Sequence, residues 1–185
     1  MSIAKTSTPT APQELELASN RYRMIMAAKF TVNSFARQWS QCHLVANFLA
    51  RYVSANEGDP ERHALLLSTF VNELLEVVFR NHAEEGEIDV IFRKRGRHVI
   101  LQMTMPVADR HRIFYRMAVK MVNQPDLKTW FRARLEEPAE GEDTMLGLLE
   151  LVAVYKCTFT LAEPAHSNRL SLFLELPEVD EMGEV

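Results

Sequence analysis

One stretch constrains this chain more than any other: RHALLLSTFVNELLEVVFRNH, from Arg62 to His82. Leu66, Phe70, Leu74, Val77 and Val78 recur at helical spacing and predict a single buried stripe. Asp59 and Pro60, just upstream, suit a cap and a first turn. Asn72, Glu73, Glu76 and Arg80 are polar positions on the same helix, and Glu73 and Val77, four apart, share a face. The segment that follows, EIDVIFRKRGRHVILQMTM, alternates as a β-hairpin does, with Gly96 as the permissive turn residue.

The remaining segments arrange themselves around this pair. RYRMIMAAKF predicts a first strand. SFARQWSQCHLVANFLARYVS predicts one helix, with Ser34 as its cap and Phe35, Trp39, Cys42, Ala46, Leu49 and Val53 on one face. Gly58 and Pro60 break it before the central helix, which is expected to run to about Ala83. Pro106 ends the hairpin. A helix is expected from Ala108 to Val122, with Ile113, Met117 and Met121 on one side, and a shorter one near Asp126 to Leu135, anchored by Leu127, Trp130 and Phe131. EEPAEGED, from Glu136 to Asp143, reads as the most mobile internal stretch. DTMLGLLELVAVY predicts a late helix, and two closing strands follow, with Leu170, Leu172, Leu174 and Leu176 alternating. Hairpins with helices between them predict an α+β, two-layer sandwich whose mixed, mostly antiparallel sheet carries its helices on one face. The expected division is a disordered arm over 1–14, one domain over 15–177 and an acidic tail over 178–185.

Composition narrows the functional classes. The chain has 185 residues, 47 % hydrophobic and 25 % charged, as a globular domain does. A net charge of −4 argues against general nucleic-acid binding. The basic run Arg93, Lys94, Arg95, Arg97 therefore reads as a solvated hairpin tip. The 2 cysteines, Cys42 and Cys157, read as reduced core residues. No apolar run is long enough to span a bilayer, the N-terminus lacks a secretory signal, and the expected compartment is the cytoplasm. His82, His98, His111 and His166 show no triad or metal spacing, and no Gly-x-Ser-x-Gly elbow supports a serine hydrolase.

Two segments carry a resemblance. VNELLEVVFRNH resembles the N-box helix of the histidine-kinase-like (GHKL) ATPase fold, and DTMLGLLELVAVY resembles its late glycine-box helix. The order of elements from Tyr22 to Leu176 matches that fold too. Within it, the chain resembles the anti-sigma-factor serine kinases of bacterial partner-switching systems, and in architecture still more the SiaB-type kinases, which carry helical insertions before a late GLL-type helix. The resemblance implies that Glu73 is the N-box glutamate that helps activate a partner hydroxyl, that Arg80 is the basic residue further along, and that Gly147 is what remains of the phosphate-approaching glycine box. It also implies a departure. Where the family has a magnesium-binding asparagine, this chain has Val77, and no Asp-x-Gly-x-Gly box follows Met105.

An isopropyl group offers magnesium no oxygen, and phosphate cradles need glycine-exposed N–H groups. ATP and magnesium are thus expected to bind weakly or not at all, with no metal site of another kind. Two functions follow. One is a regulatory protein that holds a partner, such as a STAS-like antagonist or a phosphatase. The other is an active ATP-dependent serine/threonine kinase of the same pathway. An unrelated α+β domain is the third reading, and a homodimer stays open. Each site residue also has a plain alternative: Glu73 as a solvated helix glutamate, Arg80 as a cation suited to a helix C-terminus, and Gly147 as a packing residue. The segment from Pro106 to Asp143 takes the place of the family's nucleotide lid. Its acidic end would repel a triphosphate and suits contact with a protein partner.

Overall fold

The structure, a computed structural model, describes residues 22–136, 144–164 and 167–177. Strand β1 (Arg23–Thr31) runs directly into helix α1 (Val32–Arg37). A single 3-10 turn, Trp39–Gln41, separates α1 from α2 (Cys42–Ser54). The central helix α3 (Pro60–Arg80) follows, then the hairpin of β2 (Glu87–Arg95) and β3 (His98–Pro106). Helices α4 (Asp109–Val122), α5 (Leu127–Glu136) and α6 (Thr144–Ala153) lead to β4 (Thr158–Ala162) and β5 (Arg169–Leu176).

The five strands form one sheet in the order β1-β2-β3-β5-β4, and every pairing among them is antiparallel. The sheet is thus wholly antiparallel among the described residues, in line with the mostly antiparallel sheet expected from the sequence. Its register lines up one apolar face. Val90 pairs with Met103, and Met103 pairs with Leu172. Those three and Phe92, Leu101, Leu170 and Leu174 are fully buried. The intervening residues Asp89, Ile91, Arg93, Gln102 and Thr104 are half-buried on the other face. Along β2 and β3, a period of two with one face fully closed is what helices covering one side of a sheet require. The covering side chains include Phe70, Leu74 and Val78 of α3, which belong to the same core cluster.

Helix α3 starts as its sequence dictates. The Asp59 side chain accepts from the Arg62 N–H at 3.1 Å, and Pro60 occupies the first turn. It ends at Arg80, earlier than Ala83, because Asn81 turns its side chain back to donate to the Val77 carbonyl at 2.9 Å. In the hairpin, Gly96 takes φ 62° in the two-residue connection between the paired Arg95 and His98. A positive φ at the first central residue matches the twist of the strands, and glycine adopts it without a Cβ clash.

Three further expectations are corrected. The first helix is two. Thr31 is the cap, its Oγ1 accepting from the Ser34 N–H at 3.2 Å, so α1 begins at the end of β1 and Ser34 lies inside it; Gln38 then leaves helical geometry. The side chains of Phe35 and Trp39 fall outside the described residues. In α4 the buried face is Tyr115, Ala118 and Val122, while Ile113 and Met117 are 58 % and 52 % exposed. In α5, Leu127 is buried, but Trp130 is exposed. At the hairpin tip Arg95 and Arg97 are exposed, as expected, while Arg93 and Lys94 are half-buried on the strand. Lys94 pairs with Glu57, Arg93 donates to Gln102, and Arg95 stands 5.1 Å over the Tyr22 ring. The acidic stretch after Glu136, the arm, the tail and His166 lie outside the described residues.

Cys42 and Cys157 are both free and buried, as expected, and burial pushes their thiols up to about 11 and about 12. No helix among the described residues is long and apolar enough to cross a membrane.

Candidate functional site

Helices α3 and α6 bring Glu73 and Gly147 into one neighbourhood, with Arg80 further along α3. Glu73 lies half-buried on α3, one helical turn before Val77, and Gly147 lies on α6 against Val77. A Cβ built on Gly147 would stand 2.9 Å from Val77 Cγ2. Real Cβ atoms do not tolerate that distance, and Val77 is only 3 % exposed. The absence of a side chain at 147 therefore lets α6 lie close against α3. Arg80, one turn further along, is held by Glu76 at 2.6 Å, an (i, i+4) ion pair on the exposed side.

Glu150 and Tyr155 join this site from α6 and the turn after it, and neither stands out in the sequence. Burial raises the Glu73 pKa first, and the negative charges of Glu150 and Glu76 raise it further. Burial likewise raises the Tyr155 hydroxyl, helped by Glu150 and Glu73. The Tyr155 ring packs edge-on against Phe70 of α3, centroids 5.5 Å apart. The backbone turns sharply after Tyr155, with Lys156 at φ 54°. The only sequence signal for Glu150 is its place three residues after Gly147, on the helix that Gly147 lets approach.

This arrangement can hold a proton on a carboxyl whose affinity for it is raised. The side chain where the resemblance puts a metal ligand is a buried isopropyl group pressed against Gly147. The nearby charges of Glu73, Glu76 and Glu150 repel phosphate. No group of three or more His, Cys, Asp or Glu side chains among the described residues could hold a metal ion.

No known protein-family pattern matches the chain, and no curated protein sequence does. Its fold is similar to a solved one. One such neighbour is a chain in the crystal structure of the SiaB–SiaC complex from Pseudomonas aeruginosa. The TM-score is 0.56 at 14 % identity, over 89 % of this chain and 96 % of that chain. The likeness covers most of both chains and is one of fold.

Other ion pairs join α4 and the strands to neighbouring segments. Glu163 accepts from Arg116 at 2.8 and 2.5 Å and from Arg112 at 3.3 Å, which joins α4 to the segment after β4. The Arg116 hydrogen bond comes first among the causes that hold the Glu163 carboxyl below its usual range. Arg169 pairs with Asp89 across the half-covered face of the sheet.

Proposed function

We propose that this chain is a bacterial regulatory protein with a degenerate histidine-kinase-like ATPase fold, working by protein–protein contact in a partner-switching pathway. The observation that carries this reading is the fold likeness to a chain crystallised within a two-protein SiaB–SiaC complex. The contact between Val77 and Gly147 supports the degenerate part, since it puts hydrocarbon where the resemblance expects a metal ligand. The partner is a SiaC-class protein, a STAS-like antagonist or a phosphatase, and the protein works in the cytoplasm.

The raised Glu73 carboxyl favours a second reading, an active serine/threonine kinase in which Glu73 takes the proton of a partner hydroxyl. One experiment separates the two. The chain is mixed with a SiaC-class protein from the same genome, with and without Mg-ATP, and followed by size exclusion and a phosphate-affinity gel. The first reading expects a complex in both conditions and no phosphorylated band. A phosphorylated partner, lost in Glu73→Gln, would establish the kinase. The absence of any complex would remove both readings.

A further inference from the structure

Helix α2 leaves an apolar stripe uncovered. Leu44, Phe48 and Tyr52 are 56 %, 63 % and 54 % exposed, and their spacing of four puts them on one helical face. Leu65 of α3, 69 % exposed, adds a fourth large apolar side chain. A hollow of about 480 Å³ lies between the two helices, walled by Asn47, Arg51, Pro60, Glu61, Ala64 and Leu65. Ser68 donates to Asn47 across the α2–α3 seam at 2.5 Å, so the two walls are held to each other.

Helix α2 carries Arg51 and no Asp or Glu, in a chain whose net charge is −4. Lys29, Lys94, Arg112, Arg116 and Arg169 are each held by a carboxylate. Arg51, in the wall of the hollow, has no such partner among the described residues, although Glu61 lines the same hollow.

We infer that the α2 stripe and the hollow beside it form a docking groove for an amphipathic helix of a partner protein, one that carries Asp or Glu next to its apolar face. The apolar face covers Leu44, Phe48, Tyr52 and Leu65, and a carboxylate meets Arg51. An exposed apolar face beside a groove is how helices are received in general. A second copy of this chain fits poorly, because α2 laid on α2 brings no Asp or Glu to Arg51. A lipid surface fits poorly too, because the site is hollow and has Glu61 in its wall. The inference deepens the proposed function, resting on the reading that this chain works by holding a protein.

The test uses two fluorescein-labelled model helices of about 18 residues with the same leucine face, one flanked by Glu and one by Lys, read by anisotropy against the full chain at low salt. The Glu-flanked helix is expected to bind about tenfold more tightly than the Lys-flanked one, and Arg51→Glu to reverse that order. Phe48→Glu, at an exposed position, should weaken the Glu-flanked helix about tenfold while leaving the melting temperature unchanged. Equal binding of both helices, or indifference to Phe48→Glu, overturns the proposal. So does a dimer in sedimentation equilibrium that Phe48→Glu dissociates, or flotation with phosphatidylserine vesicles that the same change abolishes. A SiaC-class partner that binds wild type and both variants alike would remove this groove and leave the proposed function standing. Model-helix binding that behaves as expected, with no SiaC-class complex, would do the reverse.

Discussion

Gly147 of α6 lies so close to Val77 of α3 that a single added methyl would stand 2.9 Å from Val77 Cγ2. Two positions that the resemblance assigns to a phosphate and a metal thus meet each other. The contact makes a quantitative prediction. Gly147→Ala improves helix propensity by up to about 1 kcal/mol. It also overpacks a buried seam, which costs about 1–3 kcal/mol. The overpacking wins, and the variant is expected to lose roughly 1 kcal/mol in urea unfolding. Val77→Ala removes the clashing methyl, so the double variant should be more stable than the sum of the two singles by about 0.5 kcal/mol or more. Strict additivity would show that α6 simply shifts away.

Val77→Asn tests the same seam from the other side. Val77 is 3 % exposed, so the new amide is buried without a prepared partner. The expected loss is about 1–3 kcal/mol. Mg-ATP at millimolar concentration should leave the melting temperature of this variant where it was. A metal-dependent upward shift, abolished by EDTA, would show that this face of α3 opens to a ligand after all.

The sequence made α3 legible because its apolar period, its Asp59 cap and its Pro60 start all agree, and the structure keeps all three. The alternation of Leu170, Leu172, Leu174 and Leu176 was equally plain, and all four are buried. Helix α4 was misread because its strongest hydrophobes, Ile113 and Met117, lie on the open side, while Tyr115 and the small Ala118 fill the core. Periodicity finds a stripe but not which stripe faces inward. The break between α1 and α2 was hidden because Ser34 looks like a cap, and Thr31 captures that role from the end of β1. At the site, Glu73, Arg80 and Gly147 were visible as residue types. That Gly147 serves Val77, and that Glu150 and Tyr155 join Glu73, depends on contacts between residues far apart in the chain, which local pattern does not encode.

Glu73→Gln tests the electrostatics of that site. The Glu73 carboxyl binds its proton more readily in the folded chain than in the unfolded one, through burial and then the charges of Glu150 and Glu76. Its contribution is therefore favourable at pH below the unfolded carboxylate range and is lost as pH rises through the folded value. At pH 7 the charge is a burden, but half-exposed like-charge pairs are screened by solvent. Glu73→Gln is expected to stabilise by roughly 0.5 kcal/mol at pH 7 and by less near pH 4. A destabilised variant at pH 7 would mean that a cation outside the described residues already compensates Glu73.

The joint between α2 and α3 gives a pH dependence of opposite sign. Ser54 Oγ lies 2.6 Å from His63 Nδ1, with both residues buried, so the pair links the end of one helix to the start of the next. Burial lowers the His63 pKa; nearby Glu57 opposes that shift and Lys94 adds to it. Folded His63 thus stays neutral at pH values where the unfolded histidine already takes a proton. The stability it contributes is present above about pH 6.5, the ordinary histidine value, and falls as the pH drops below it. His111, also lowered by burial, acts in the same window, so the comparison must be between variants. Urea midpoints measured from pH 8 to pH 5 should fall more steeply for the wild type than for His63→Gln, which cannot titrate. Ser54→Ala leaves a buried ring nitrogen without its partner and is expected to cost about 1–3 kcal/mol at pH 8. Parallel curves for wild type and His63→Gln would mean that the ring is wet in solution and that the α2–α3 joint does not depend on its neutral form.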